Sequence, residues 1–244
     1  VSFEINTAKK EFVVFDGNDE IDTGIYVRDQ FTILVYLQQN YNCPDFWSND
    51  TIGTQTYIAG NQGMVLRLLA GKFHVNDGSG IMKVDLGIYK ISNQGFFCGA
   101  IFDRINGVLK GINNDGTVHE TVDMSGYGSI DNGRTIKIGT ADNSPKNRYL
   151  RGRIWFVAMW NRSLSDDEIK QVYDYVMKGT ANMVEDGLIF WYEGDSFNEA
   201  EGKWYDKSGN GNDGSVTEGN PYKGSWLGDV GSGEIKYVGQ VVVG

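Results

Sequence analysis

The sequence predicts an all-β sandwich of two antiparallel sheets with one short helix near residues 165–178, and three observations carry the prediction. The first is RGRIWFVAMWNRSLSDDEIKQVY at 151–173, where an apolar strand runs into a capped helix with almost no loop. The second is the recurrence of Asn-Gly and Asp-Gly pairs, beginning at 16, 77, 106, 115, 132, 186, 210 and 213. Each pair marks a point where positive φ costs little and a hairpin reverses. The third is composition: 33 Gly, 3 Pro and 13% aromatic residues in 244, enough chain to bury one sizeable core.

The elements follow in order. FVVFDGNDEIDTG at 12–24 reads as a hydrophobic strand ending in FDG, a polar turn and a short strand, and FTILVYL at 31–37 as the next strand. Between the turn pairs lie candidate strands at 55–59, 64–69, 81–89, 96–102, 117–122 and 134–138, whose imperfect alternation suits the double-faced layers of a sandwich. At 151–160, simple alternation sends Ile154, Phe156, Ala158 and Trp160 to one side and Trp155, Val157 and Met159 to the other, so both faces are covered. Ser165 and Glu168 then form a capping box, Ile169, Val172, Tyr173 and Val176 follow at helical spacing, and Gly179 supplies the left-handed stop. LIFWYEGD at 188–195 is an aromatic strand that leads to the turn WYDKSGNGNDG at 204–214.

Three of these segments resemble the concanavalin A-like, laminin-G-like jelly-roll domains. Their last strand runs G-x-I-x-x-V-x-[IM]-[WY]-[ND]-R-x-L-[ST]-x-x-E-I, matched here by Gly152, Ile154, Val157, Met159, Trp160, Asn161, Arg162, Leu164, Ser165, Glu168 and Ile169. The FDG segment and the aromatic strand with its SGNGNDG turn are further hallmarks of the same family, while 38–150 match only in strand-and-turn texture. The resemblance implies a concanavalin A-like jelly-roll β-sandwich. It also implies a non-catalytic recognition module that reads sugars or proteins through rim loops or the concave sheet.

The order of the hallmarks is unusual, because the family places the aromatic strand and its turn before FDG and this chain places them last. A single domain over 1–244 with permuted motifs is favoured over a further repeat, since about 58 residues cannot enclose a second sandwich of roughly 100. A third reading has the C-terminal strands completing the sheet of a neighbouring subunit.

Charge excludes some partners. With 22 Lys and Arg against 32 Asp and Glu, the formal charge of −10 argues against a phosphate-tracking surface and hence against nucleic acid. The longest purely apolar run, Ile154–Trp160, is too short to span a bilayer, so no membrane insertion is expected. The chain shows no charged-then-apolar leader, and it begins at Val1, consistent with processing from something longer. Cys43 and Cys98 allow one disulfide or two free thiols.

Several motifs carry chemistry. Gly209–Gly214 satisfies G-x-G-x-x-G, but SVTEGNP after it cannot open a helix, so it reads as a turn. Asp206, Ser208, Asn210 and Asn212 present oxygens at alternate positions of one loop, as a calcium site does, although position 12 is Thr217 and not a carboxylate. An Asx-rich turn explains the same residues, and both readings stand. Asp19, Glu20 and Asp22 form a second, acidic cluster of a kind that also holds a cation. Glu20-Ile21-Asp22 is also similar to the E-[IL]-D-x-E strand of family 16 glycoside hydrolases, but the required second Glu is Gly24, so the proton donor of a retaining mechanism is missing.

What remains is binding. Trp47 lies in YNCPDFWSND at 41–50, a polar loop where an indole either plugs the core edge or meets a ligand. Sugars offer a C–H face to aromatic rings and hydroxyls to carboxylates and amides, and Tyr41, Asp45 and Asn49 flank Trp47 with those groups. Trp204 and Trp226, in Gly-rich turns, are weaker candidates. The expected partner is a polysaccharide or a surface protein, in an extracellular, cell-surface or virion-surface setting. A structural decoration or fibre protein of a phage virion is the alternative to a glycan-binding module.

Overall fold

The computed structural model describes residues 11–39, 50–53, 63–67, 71–88, 95–140 and 149–225. In chain order the strands are β1 (Glu11–Asp16), β2 (Glu20–Tyr26), β3 (Gln30–Gln39), β4 (Asp50–Gly53), β5 (Gly63–Arg67), β6 (Lys72–Asn76), β7 (Ile81–Asp85), β8 (Phe96–Asp103), β9 (Val108–Ile112), β10 (Val118–Asp123), β11 (Thr135–Ile138) and β12 (Arg151–Trp160). After the helix α1 (Asp166–Lys178) come β13 (Leu188–Glu193), β14 (Phe197–Asn198), β15 (Lys203–Trp204), β16 (Gly214–Glu218) and β17 (Tyr222–Ser225). Among the described residues two antiparallel sheets form the sandwich. One runs β10-β9-β8-β3-β12-β1-β17 with β13 also on β12, and the other runs β14-β15-β16-β2-β11-β4-β5-β6-β7.

Two apolar clusters hold the layers. The inner one lies between the sheets and takes Val13, Phe15, Ile21, Ile33, Val35, Phe73, Ile136, Met159, Phe190 and Trp204. The outer one lies between the first sheet and α1 and takes Leu34, Phe97, Trp155, Phe156, Ala158 and Trp160 with Ile169, Val172 and Val176 of the helix. The alternation expected along β12 is broken. Ile154 faces Leu37 and Phe156 faces Tyr36, so residue 155 is an extra residue and Trp155 and Phe156 both turn toward the helix. This is a β-bulge, which lets one long strand re-aim its large rings where the helix needs them.

The helix ends are set as the sequence expects. The Ser165 hydroxyl accepts the Glu168 N–H at 3.3 Å, the Glu168 carboxylate accepts the Ser165 N–H at 2.8 Å, and Gly179 closes the helix at φ 66°. Arg162 clamps the same Glu168 through two bonds of 2.9 and 2.6 Å. This forked pairing holds the Glu168 carboxyl down at about 2.

The C-terminal segment is woven into both sheets. β16 pairs with β2, β17 with β1, and β13 with β12. β13 and β1 share one edge of β12: Leu188–Glu193 covers Trp160–Phe156, and Val13–Asp16 covers Ile154–Arg151. The two therefore lie end to end, pointing the same way, and make one composite strand from opposite ends of the chain. Gly194 sits at the joint, where a Cβ would meet the Glu11 carbonyl oxygen at 2.2 Å. Only a glycine lets the two backbones approach so closely.

Predicted strands at 96–102, 117–122 and 134–138 are observed within a residue or two, and 81–89 is shorter, ending at Asp85. The 64–69 prediction is described from Gly63 to Arg67, and 55–59 lies outside the described residues. No helix among the described residues is long and apolar enough to cross a membrane.

Candidate binding groove

The expected site residues fall in different places. Tyr41, Asp45, Trp47 and Asn49 lie outside the described residues, as do Cys43 and Trp226, whereas Cys98 is a buried free thiol. Trp204 is not in an exposed turn. It is fully buried, stacks on Tyr192 at 5.4 Å, and donates its indole N–H to the Glu193 carbonyl at 2.6 Å.

Asp206, Ser208, Asn210 and Asn212 are brought together in one loop. Asp206 Oδ1 accepts the Trp191 and Ser208 N–H groups at 3.0 and 2.9 Å, and Oδ2 accepts the Ser208 hydroxyl and the Asn212 N–H at 2.7 and 3.0 Å. The Asn210 and Asn212 amides donate to the Leu188 and Ile189 carbonyls, each at 2.8 Å. The loop thus seals the start of β13. A hard cation there would compete with four donors for a single carboxylate.

The acidic cluster at 19–22 does not converge on one point. Asp19, 1% exposed, accepts the Asp16 N–H at 2.6 Å and the Asn220 N–H at 2.8 Å, tying the β1–β2 turn to the turn before β17. Burial, reinforced by the neighbouring Asp16 carboxylate, lifts its carboxyl to about 6 even though those N–H groups pull the other way. Glu20 and Asp22 instead face Lys137 at 3.4 and 2.6 Å, and Glu20 also accepts the Thr217 hydroxyl at 2.7 Å. Burial works against the Asp22 charge, but Lys137 and the Gly24 N–H hold its carboxyl below the usual range. Glu20 is itself buried, and residue 24 has no side chain to donate a proton.

The structure presents a groove that sequence reading missed. It opens at the edge of the sandwich, where β17 ends one sheet and β14 ends the other, and has a volume of about 460 Å³. Asp195, Phe197, Asn198, Glu199, Tyr205 and Lys223 line it, with Ser196 and Ala200 between them. That volume lies within the range of small-molecule sites.

Local hydrogen bonds fix its walls. Ser196 accepts the Tyr205 N–H on its carbonyl at 3.0 Å and returns its hydroxyl to the Tyr205 carbonyl at 2.8 Å. The Tyr205 ring is 37% exposed, and its hydroxyl donates to Glu201, which raises the phenol's pKa. Asn198 donates to the same Glu201 at 2.9 Å. Across the groove the Lys223 ammonium reaches the Asp195 carbonyl at 3.0 Å, and the Lys223 backbone N–H donates to the Glu199 carboxylate.

Beneath the floor, buried Glu193 accepts the Tyr175 hydroxyl at 2.8 Å and pairs with Lys207 at 2.6 Å. Lys207 also reaches Asp195 at 3.0 Å. Burial opposes the Lys207 charge, but Glu193 and Asp195 together hold its ammonium above the usual lysine range. The groove therefore shows one aromatic face beside carboxylates and an amide, with Asp195 held from behind by Lys207. It can stack a flat apolar face and accept hydroxyl donors around it.

No protein-family model matches the chain, and no curated protein matches it. Solved structures share its fold. A presumed carbohydrate-binding protein from Bacteroides ovatus superposes at a TM-score of 0.63 over 91% of this chain with 16% identity, and the chain spans 60% of that protein's length. The CBM40 of the Ruminococcus gnavus IT-sialidase, bound to α2,3-sialyllactose, gives 0.54 at 16% identity over 67% of this chain and 97% of its own. A leech intramolecular trans-sialidase gives 0.51 at 13% identity over 71% of this chain and 28% of its own. The likeness is one of fold, that of the concanavalin A-like lectin sandwiches, with carbohydrate-binding modules among the structural neighbours.

Proposed function

We propose that this chain is a non-catalytic glycan-recognition module of the laminin-G-like kind, acting at a cell or particle surface outside the cell. The observation that carries the reading is the edge groove, where the exposed Tyr205 ring stands among Asp195, Asn198 and Glu199. Carbohydrate-binding modules among the structures that share the fold support it. The buried Glu20 and the glycine at 24 favour binding over glycan hydrolysis. We read 1–244 as one domain with permuted hallmarks, a reading supported by the end-to-end placement of β13 and β1.

A glycan array probed with the wild type and with Tyr205→Ala tests the site. Retained glycans should be lost by the variant while its thermal midpoint stays within a degree or two of wild type, as befits a surface ring. The loop at 41–50 is proposed as a second contact region, and Trp47→Ala should weaken retention of the same glycans. Retention unchanged in both variants would remove both regions from the reading.

A further inference from the structure

We infer that the groove selects uncharged pyranosides and excludes sugars that carry a carboxylate, sialosides included, although a module that binds sialyllactose shares the fold. This rests on the reading of the groove as a glycan site and names the class of ligand it takes.

The argument is one of charge and of which cations are free to act. Among the described residues the groove and the side chains bonded to its lining residues carry four carboxylates, Glu11, Asp195, Glu199 and Glu201, against two ammonium groups, Lys207 and Lys223. Both ammonium groups are already engaged. Lys207 bridges Glu193 and Asp195, and Lys223 donates to the Asp195 carbonyl with Glu11 at 3.9 Å. Among the described residues lining the groove Lys223 is the sole cation, and no arginine is among them.

Recognition of a sugar carboxylate calls for a forked guanidinium or a desolvated ammonium aimed at it. Here an entering carboxylate would meet Asp195 and Glu199, backed by Glu201 behind Tyr205 and Asn198, with no cation among the described residues released to offset them. A neutral pyranose meets the opposite situation. Its hydroxyls donate to those same carboxylates, and its C–H face lies on Tyr205.

The test is an array of matched pairs, each neutral oligosaccharide beside its sialylated or glucuronate-bearing counterpart, read at low ionic strength and again at about 0.15 M, where screening shortens the reach of charge to roughly 8 Å. Retention confined to the neutral members, with acidic counterparts roughly tenfold weaker or more and the gap narrowing in salt, is the expected result. The double variant Glu199→Gln/Glu201→Gln, which keeps acceptor oxygens, should close most of that gap without changing the thermal midpoint. Equal or stronger retention of the acidic members, abolished by Tyr205→Ala, would overturn the charge selection and leave the glycan site standing. Retention that Tyr205→Ala does not alter, or no retention of any glycan, would overturn the selection and the groove reading together.

Discussion

The helix side of the first sheet and the open edge of the sandwich use aromatic residues in opposite ways. Under α1, Trp155 and Trp160 are buried, and the Trp160 indole donates to the Val184 carbonyl at 2.8 Å. At the edge, Trp204 is buried in the same manner, yet the very next residue, Tyr205, keeps its ring open to solvent between carboxylates. The helix side is closed by its own caps and clamps. At the edge the polar groups stay at the rim, and Asp195 is tied through Lys207 to buried Glu193 and Tyr175. A hydrogen-bonded network behind an exposed ring is the arrangement a preorganised site requires.

Four measurements would break or sharpen this contrast. Trp160→Ala should cost about 3–5 kcal/mol in chemical denaturation, since it removes a large core ring and orphans the Val184 carbonyl; a loss under 1 kcal/mol would show that α1 is not anchored by that ring.

The next effect is pH-dependent and sits on the edge side. Asp19 is about 6 in the fold against 3.8 for a free carboxyl, so the native state holds that proton more tightly. Its contribution is complete below pH 3.8 and is lost as pH rises through about 6, a swing of about 2–3 kcal/mol. Glu168 has the opposite sign. Its carboxyl is about 2 in the fold against 4.5, so its contribution is present above pH 4.5 and is lost as pH falls toward 2. The thermal midpoint should therefore climb from pH 7.5 to about 5 and fall below about 4.5, with Asp19→Asn removing the climb alone. A flat profile between pH 7.5 and 5 would rule out the Asp19 assignment.

Ser165→Ala deletes the acceptor for the Glu168 N–H and should cost about 1 kcal/mol; an unchanged denaturation midpoint would contradict the capping box. Tyr205→Ala should cost under about 0.5 kcal/mol. A larger loss would mark the ring as structural and blur the distinction between the two regions.

Legibility in the sequence follows the same divide. The helix side was readable because its signals are local: Ser165 three residues before Glu168, apolar residues at helical spacing, Gly179 at the stop. Even there, the bulge at 155 was hidden, since it depends on how Tyr36 and Leu37 of another strand pair with Ile154 and Phe156. Short strands such as Lys72–Asn76 and Val108–Ile112 were missed because five residues between turns carry little periodicity of their own. The groove was hidden for a different reason. Its lining comes from 195–200, Tyr205 and Lys223, in and beside the end strands of two different sheets, and only the packing of those sheets makes them one surface. The nearest signal is WYDKSGNGNDG, where Tyr205 follows the buried Trp204 and no local pattern distinguishes the exposed ring from the covered one. Asp19 read as a cation ligand because its backbone partner at Asn220 is 201 residues away.

The composite strand along β12 has a consequence for how the protein is made. Residues 11–16 emerge from a ribosome early and can pair with 151–154 as soon as β12 is out, but the other half of that edge waits for 188–193, and the outer edge of β1 waits for 222–225. Until then a nascent chain carries two rows of unpaired backbone groups beside its most apolar strand, a template for joining another chain. The edge of β12 is completed only after nearly the whole described sequence has been synthesised, so a chain stopped before residue 188 is expected to expose unpaired strand edges to other chains.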